Sequence, residues 1–140
     1  MDNKGIFTLD FLLSFLIVIV ICAGLIQITL TRLDTANTIN TATEARQLSE
    51  IVASTINTMI CNKNQTTIIK LPEKIENYKY QLYIQNNEVF LEVNGLKEKT
   101  TFYPTKINGE YETNIYLDSN KTYKIFSSKT DSGNLQIIEI

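Results

Sequence analysis

Apolar positions fill the first part of this chain almost without a break, and only later do they fall into periodic patterns. From Phe11 to Thr31 no residue is charged, and the stretch FLLSFLIVIVICAGLIQITL is predominantly apolar on every side of a helix. About 20 residues rising 1.5 Å each cross the hydrocarbon of a bilayer, so this run predicts a transmembrane helix. Phe7, Phe11 and Phe15 recur four apart and share one of its faces. A cleaved secretory signal fits less well, because Leu25, Ile26, Ile28 and Leu30 prolong the run past Ala23, the small residue where a cut would fall. Asp10 also abuts the run where such signals carry only positive charge, and Ile21 stands where a lipoprotein signal at Cys22 needs a small residue.

After Arg32 neither Gly nor Pro occurs before Pro72. Leu48, Ile51, Val52, Ile56, Met59 and Ile60 keep helical spacing, which predicts an amphipathic helix from Ala45 to Ile60 with one buried stripe. Between Asp34 and Thr43 the pattern is weaker and rich in Thr and Asn, yet nothing breaks it. One helix from Ile6 to Ile60 would be about 80 Å long, far beyond the bilayer. Cys22 and Cys61 would then lie about 58 Å apart along its axis, whereas a disulfide needs Cα atoms within about 7 Å. Cys22 reads as a membrane-buried hydrophobe and Cys61 as a free or intermolecular thiol.

Beyond Asn62-Lys63-Asn64-Gln65 the period changes to two. Tyr78, Tyr80, Leu82 and Ile84 alternate with polar residues, Asn86-Asn87 interrupts, and Val89, Leu91 and Val93 resume, which is a hairpin pattern. Asn94-Gly95, Asn108-Gly109, Asp118-Ser119-Asn120 and Ser132-Gly133-Asn134 mark further turns. The region from about residue 66 to 140 is expected to be a small antiparallel β-sheet. With so little core of its own, such a sheet is expected to pack on the stripe from Leu48 to Ile60. The expected fold is α+β: a long N-terminal helix, membrane-spanning in its first half, packed at its C-terminal half on a small antiparallel sheet. The expected division is a leader at residues 1–5, a transmembrane helix at 6–31, an extracytoplasmic amphipathic continuation at 32–61 and a β domain at 62–140.

Composition narrows the chemistry. The formal net charge is −2 and the pI about 5.2, which gives no general attraction to phosphate backbones, so nucleic acid is not an expected partner. The chain has no histidine, which removes the Ser-His-Asp type of triad and every imidazole metal site. Its five glycines never cluster into a phosphate-binding loop. Glu73 with Glu76 and Glu110 with Glu112 read as solvated surface rather than acid–base pairs, and Lys121 to Lys129 (KTYKIFSSK) reads as a strand with lysines on its wet face. No enzyme, cofactor or metal is expected.

Only Lys4 and Arg32 flank the apolar run closely, so loop charge hardly sets its orientation. Asn64-Gln65-Thr66 and Asn120-Lys121-Thr122 are acceptor sequons, making Asn64 and Asn120 candidate N-glycosylation sites and compatible with a C-terminal part outside the cell.

Lys4-Gly5, then Ile6-Phe7-Thr8-Leu9-Asp10, then an apolar helix that overruns the membrane and ends in a sheet, together resemble a type IV pilin-like protein, most similar to archaeal pilins with class III signal peptides. The resemblance implies a membrane-embedded prepilin peptidase that cuts between Gly5 and Ile6 on the cytoplasmic side and leaves the helix attached. It also implies an acidic residue at the fifth position of the mature chain, which here is Asp10, an Asp where Glu is commoner. The leader of residues 1–5 is short for the family, with one basic residue. Implied partners are the peptidase, other pilin subunits in a homo- or hetero-oligomeric filament, and the membrane. The implied location is single-pass in the cell membrane with the C-terminal domain outside, then an extracellular filament serving adhesion, motility or secretion.

A buried unpaired carboxylate is costly, so an Asp beside lipid marks a partner, a functional site or an interface. After a cut at Gly5 the Ile6 amine would be a new cation one helical turn from Asp10, or the amine of a neighbouring subunit could serve. Two alternatives stand beside this. Thr8 and Asp10 could simply begin a membrane helix, Thr8 as N-cap. The chain could also be a permanently anchored single-pass protein with an extracytoplasmic β-rich binding module.

Overall fold

The computed structural model describes residues 3–62, 65–127 and 134–140, with side chains from Thr8 onward. One helix, α1, runs from Asn3 to Cys61. Eight strands follow: β1 (Thr66–Lys70), β2 (Tyr80–Gln85), β3 (Glu88–Val93), β4 (Leu96–Thr101), β5 (Lys106–Ile107), β6 (Asn114–Leu117), β7 (Thr122–Ser127) and β8 (Asn134–Glu139). The expected α+β class, a long apolar N-terminal helix with sheet beyond it, is what the chain adopts. Contacts divide the chain into two compact units, Met1–Ile39 and Asn40–Ile140, so the boundary falls inside α1.

In Asn40–Ile140 the strands form two four-stranded sheets rather than one. The first has the order β1-β7-β8-β5 and the second β4-β3-β2-β6. Among the described residues every strand pairing is antiparallel except β5 with β8, a two-residue parallel contact of Lys106 with Asn134 and Ile107 with Leu135. The Asn-rich turns explain the second sheet. Asn86 and Asn87 have φ of +50° and +64°, and Asn94 and Gly95 have +47° and +77°. Two successive left-handed residues make the tight turn whose twist matches paired strands, so β2, β3 and β4 fold as a meander. Its register sets Tyr83 opposite Phe90 and Val93 opposite Leu96. The strand expected from Tyr78 starts instead at Tyr80. Ile75 and Tyr78 exchange both backbone hydrogen bonds, at 3.0 and 2.9 Å, around Glu76 at φ +52°, which closes a turn before β2 can begin.

The core of this unit joins the helix stripe to the inner faces of the sheets. Leu82, Ile84, Val89, Leu91, Ile107, Ile125 and Leu135 are buried together with Val52, Ile56 and Met59 of α1. Thr41, Ala45, Ser49 and Ala53 complete the helix side. Ile51, expected in the stripe, is instead 51% exposed. At about 100° per residue, the buried positions 45, 49, 52, 56 and 59 cluster around one direction and Ile51 points about 120° away from it. Ser49 is buried and satisfied: its hydroxyl bonds the Arg46 carbonyl at 2.8 Å and the Thr100 hydroxyl at 2.9 Å. Asn57 Oδ1 accepts the Tyr103 N–H at 2.8 Å, a second polar tie between helix and sheet.

Candidate processing and assembly segment

The sequence-expected processing site lies in the first turns of α1. Gly5 and Ile6 belong to the helix backbone, and Asp10 follows Ile6 by four residues in the same unbroken helix, which is one turn. Asp10 is exposed. Because α1 begins at Asn3, Thr8 and Asp10 both lie within the helix, and Thr8 does not cap it. Phe11 and Phe15 stack with centroids 6.2 Å apart and planes at 10°, as their four-residue spacing dictates.

Within Met1–Ile39 every described side chain, from Thr8 to Ile39, is exposed. Each large hydrophobic residue from Leu9 to Leu33 is between 49 and 72% exposed. By length and composition this is a helix able to cross a membrane. An apolar surface of that extent does not stay in water, so lipid or other protein must cover it. Four threonines in and just beyond the apolar run are already prepared for such cover. Thr29, Thr31, Thr35 and Thr38 each donate a hydroxyl hydrogen bond, at 2.9 Å, to the carbonyl four residues back. A threonine satisfied by its own helix enters an apolar environment without an orphaned donor. A Cβ added at Gly24 would meet nothing within 4 Å, so that glycine marks no close approach within the chain.

Cys22 and Cys61 are both free and exposed. Asn64 lies outside the described residues, and Asn120 is exposed in the turn before β7. In the KTYKIFSSK stretch, described as far as Ser127, Tyr123 and Ile125 face the core and are not available to stack on bases. Lys121 is held by Asp118 at 2.9 Å and Glu139 at 2.8 Å. Those two carboxylates hold the Lys121 ammonium above the usual lysine range. Glu73, Glu76, Glu110 and Glu112 are exposed. Among the described residues no three Cys, Asp or Glu side chains gather as metal ligands.

One surface feature escapes a reading of the sequence. The outward positions of β3, β2 and β6 align Phe90, Tyr83 and Tyr116 in one row, with centroids 5.1 and 5.6 Å apart. Lys97 lies over Phe90 and Tyr83 at 5.2 and 5.5 Å and bonds Glu92 at 2.8 Å. The hydrogen bond from Lys97 holds the Glu92 carboxyl below the usual glutamate range. Both partners are solvent-exposed, so the pair adds little stability. Alternation in a single strand shows that Tyr83 points outward, but only cross-strand register shows what stands beside it.

No family model, curated protein or solved structure matches the chain.

Proposed function

We propose that this chain is a structural subunit, pilin or minor pilin-like, of a type IV pilus-like surface filament, cut after Gly5 by a prepilin peptidase. The observation that carries the reading is the order of features along α1. Gly5-Ile6 and Asp10 stand one turn apart at the start of a helix whose first half is bare and apolar and whose second half belongs to the β-rich unit. A plain membrane anchor needs about 20 apolar residues and no acid at their edge. A subunit that leaves lipid for a filament needs an apolar helix, a charge to pair with a neighbour's amine, and a head. Cleavage supplies that amine at Ile6, and the positive end of the helix adds to its attraction for a carboxylate. In this reading the head lies outside the cell, the peptidase and other subunits are the partners, and the chain carries no catalytic step.

One observation favours the second reading, a permanently anchored single-pass protein. The Gly5–Ile6 peptide lies inside α1, and a peptidase acts on extended backbone. Opening the first turn is an inexpensive change, since glycine lowers helix stability by about 1 kcal/mol relative to alanine and terminal turns are the weakest of a helix. The two readings separate on shearing intact cells. A filament subunit appears in the sheared fraction as a chain lacking residues 1–5, whereas an anchored protein stays wholly with the membranes at full length.

A further inference from the structure

The sequon Asn120-Lys121-Thr122 is left unused by the filament reading, and the structure presents it in a distinctive way. Asn120 occupies the turn between β6 and β7 at φ +62° and its side chain is exposed. The turn is fixed from both sides. Asn120 N–H donates to the Pro72 carbonyl at 3.1 Å, and Leu71 N–H donates to the Lys121 carbonyl at 2.9 Å. Asp118 N–H donates to the Tyr123 hydroxyl at 2.7 Å. Lys121, the middle residue of the sequon, is drawn to Asp118 and Glu139.

The Asn120 carboxamide itself makes no hydrogen bond among the described residues. Asn87 and Asn108 share its left-handed backbone but use their side chains structurally: Asn87 Oδ1 accepts the Thr105 N–H at 3.4 Å and Asn108 Oδ1 the Ile137 N–H at 3.1 Å. A sequon whose amide is unengaged, exposed and held on a fixed turn is accessible to a transferase even after folding.

We propose that Asn120 is an N-glycan acceptor, modified by an oligosaccharide carried on a lipid phosphate. In the transfer, the carboxamide nitrogen of Asn120 forms a bond to the anomeric carbon of the first sugar. The bond from that carbon to the phosphate oxygen breaks, and the amide proton leaves with the lipid phosphate, so no oxidant or reductant is required. The proposal rests only on the head lying outside the cell, which the filament and anchored readings share.

The test is peptide mass spectrometry of the chain purified from its native membranes, together with protease shaving of intact cells. The peptide containing Asn120 is expected to carry added sugar mass. Asn120→Gln and Thr122→Ala should each abolish that mass completely, and Thr122→Ser, which keeps the sequon, should retain it. Thermal melting of the variants shows that the loss is not misfolding. An unmodified Asn120 on a head that protease removes from intact cells overturns the proposal and leaves the topology standing. An unmodified Asn120 on a head that protease cannot reach overturns both. Sugar on Asn120 in a chain that still begins at Met1 supports the glycan and contradicts the filament reading alone.

Discussion

Asp10 is a carboxylate next to an apolar run, and its cost in lipid is what gives it meaning. In the proposed subunit it pairs with the amine that cleavage creates. Asp10→Ala should leave processing at Gly5 intact but lower the sheared-filament yield by tenfold or more, and Asp10→Glu should restore most of it, as immunoblots of the sheared and membrane fractions would read. Equal filament yield from Asp10→Ala would remove Asp10 from assembly. Gly5→Val acts one step earlier, since a branched side chain before the cut should leave the full-length chain in the membrane. Gly5, Ile6 and Asp10 could be proposed from the sequence because they lie within one contiguous stretch of α1. The row of Phe90, Tyr83 and Tyr116 was not, because its members come from strands separated by turns and meet only through register.

Among the elements, α1 changes character along its length, from all-round apolar exposure to a single buried stripe. Ile56 and Ile51 show the consequence for two residues of the same type one and a half turns apart. Ile56→Ala should destabilise the β-rich unit by about 2–5 kcal/mol through lost burial and a cavity, whereas Ile51→Ala should change it by less than about 0.5 kcal/mol. Denaturant melts of the two variants check this. Helical spacing alone included Ile51 in the stripe, because it says which residues share a sector and not where its centre lies; Ala45, Ser49 and Ala53, small or polar, place that centre and carry little hydrophobic signal.

The sheets offer a pH-dependent test. Burial pushes the Tyr80 hydroxyl from 10.0 up to about 12, and that hydroxyl donates to the Pro72 carbonyl at 2.7 Å. Between those pH values the unfolded chain releases the proton and the folded chain keeps it. Stability is therefore full below pH 10 and is lost as pH rises toward 12, by roughly 1–2 kcal/mol for this group. Tyr80→Phe should flatten the decline seen in melts at successive pH values, at a cost near 1 kcal/mol at neutral pH for the lost hydrogen bond. Tyr123, whose hydroxyl burial also raises, should leave a smaller residual slope.

For the whole molecule, the two compact units differ in what they expose: large apolar side chains from Leu9 to Leu33 in one, a buried core in the other. Residues 40–140 hold the core and both sheets, so a fragment starting at Asn40 should fold and stay soluble without detergent, while the full chain should need detergent or lipid. Gel filtration and circular dichroism would show it, and an unfolded fragment would place part of the core elsewhere. Fold class was readable because long apolar runs and alternation are local. The split into two sheets was not: alternation assigns faces but does not choose neighbours, and the parallel contact of β5 with β8 is two residues long and leaves no pattern.

A subunit cut after Gly5 is shorter than its gene product, and the intact mass of the protein extracted from its native membranes shows whether the cut occurs. The expected polypeptide begins at Ile6, lighter than the full sequence by residues 1–5, with any sugar mass assigned separately by peptide mapping. A polypeptide that begins at Met1 or Asp2 contradicts it and leaves the chain a permanent membrane anchor.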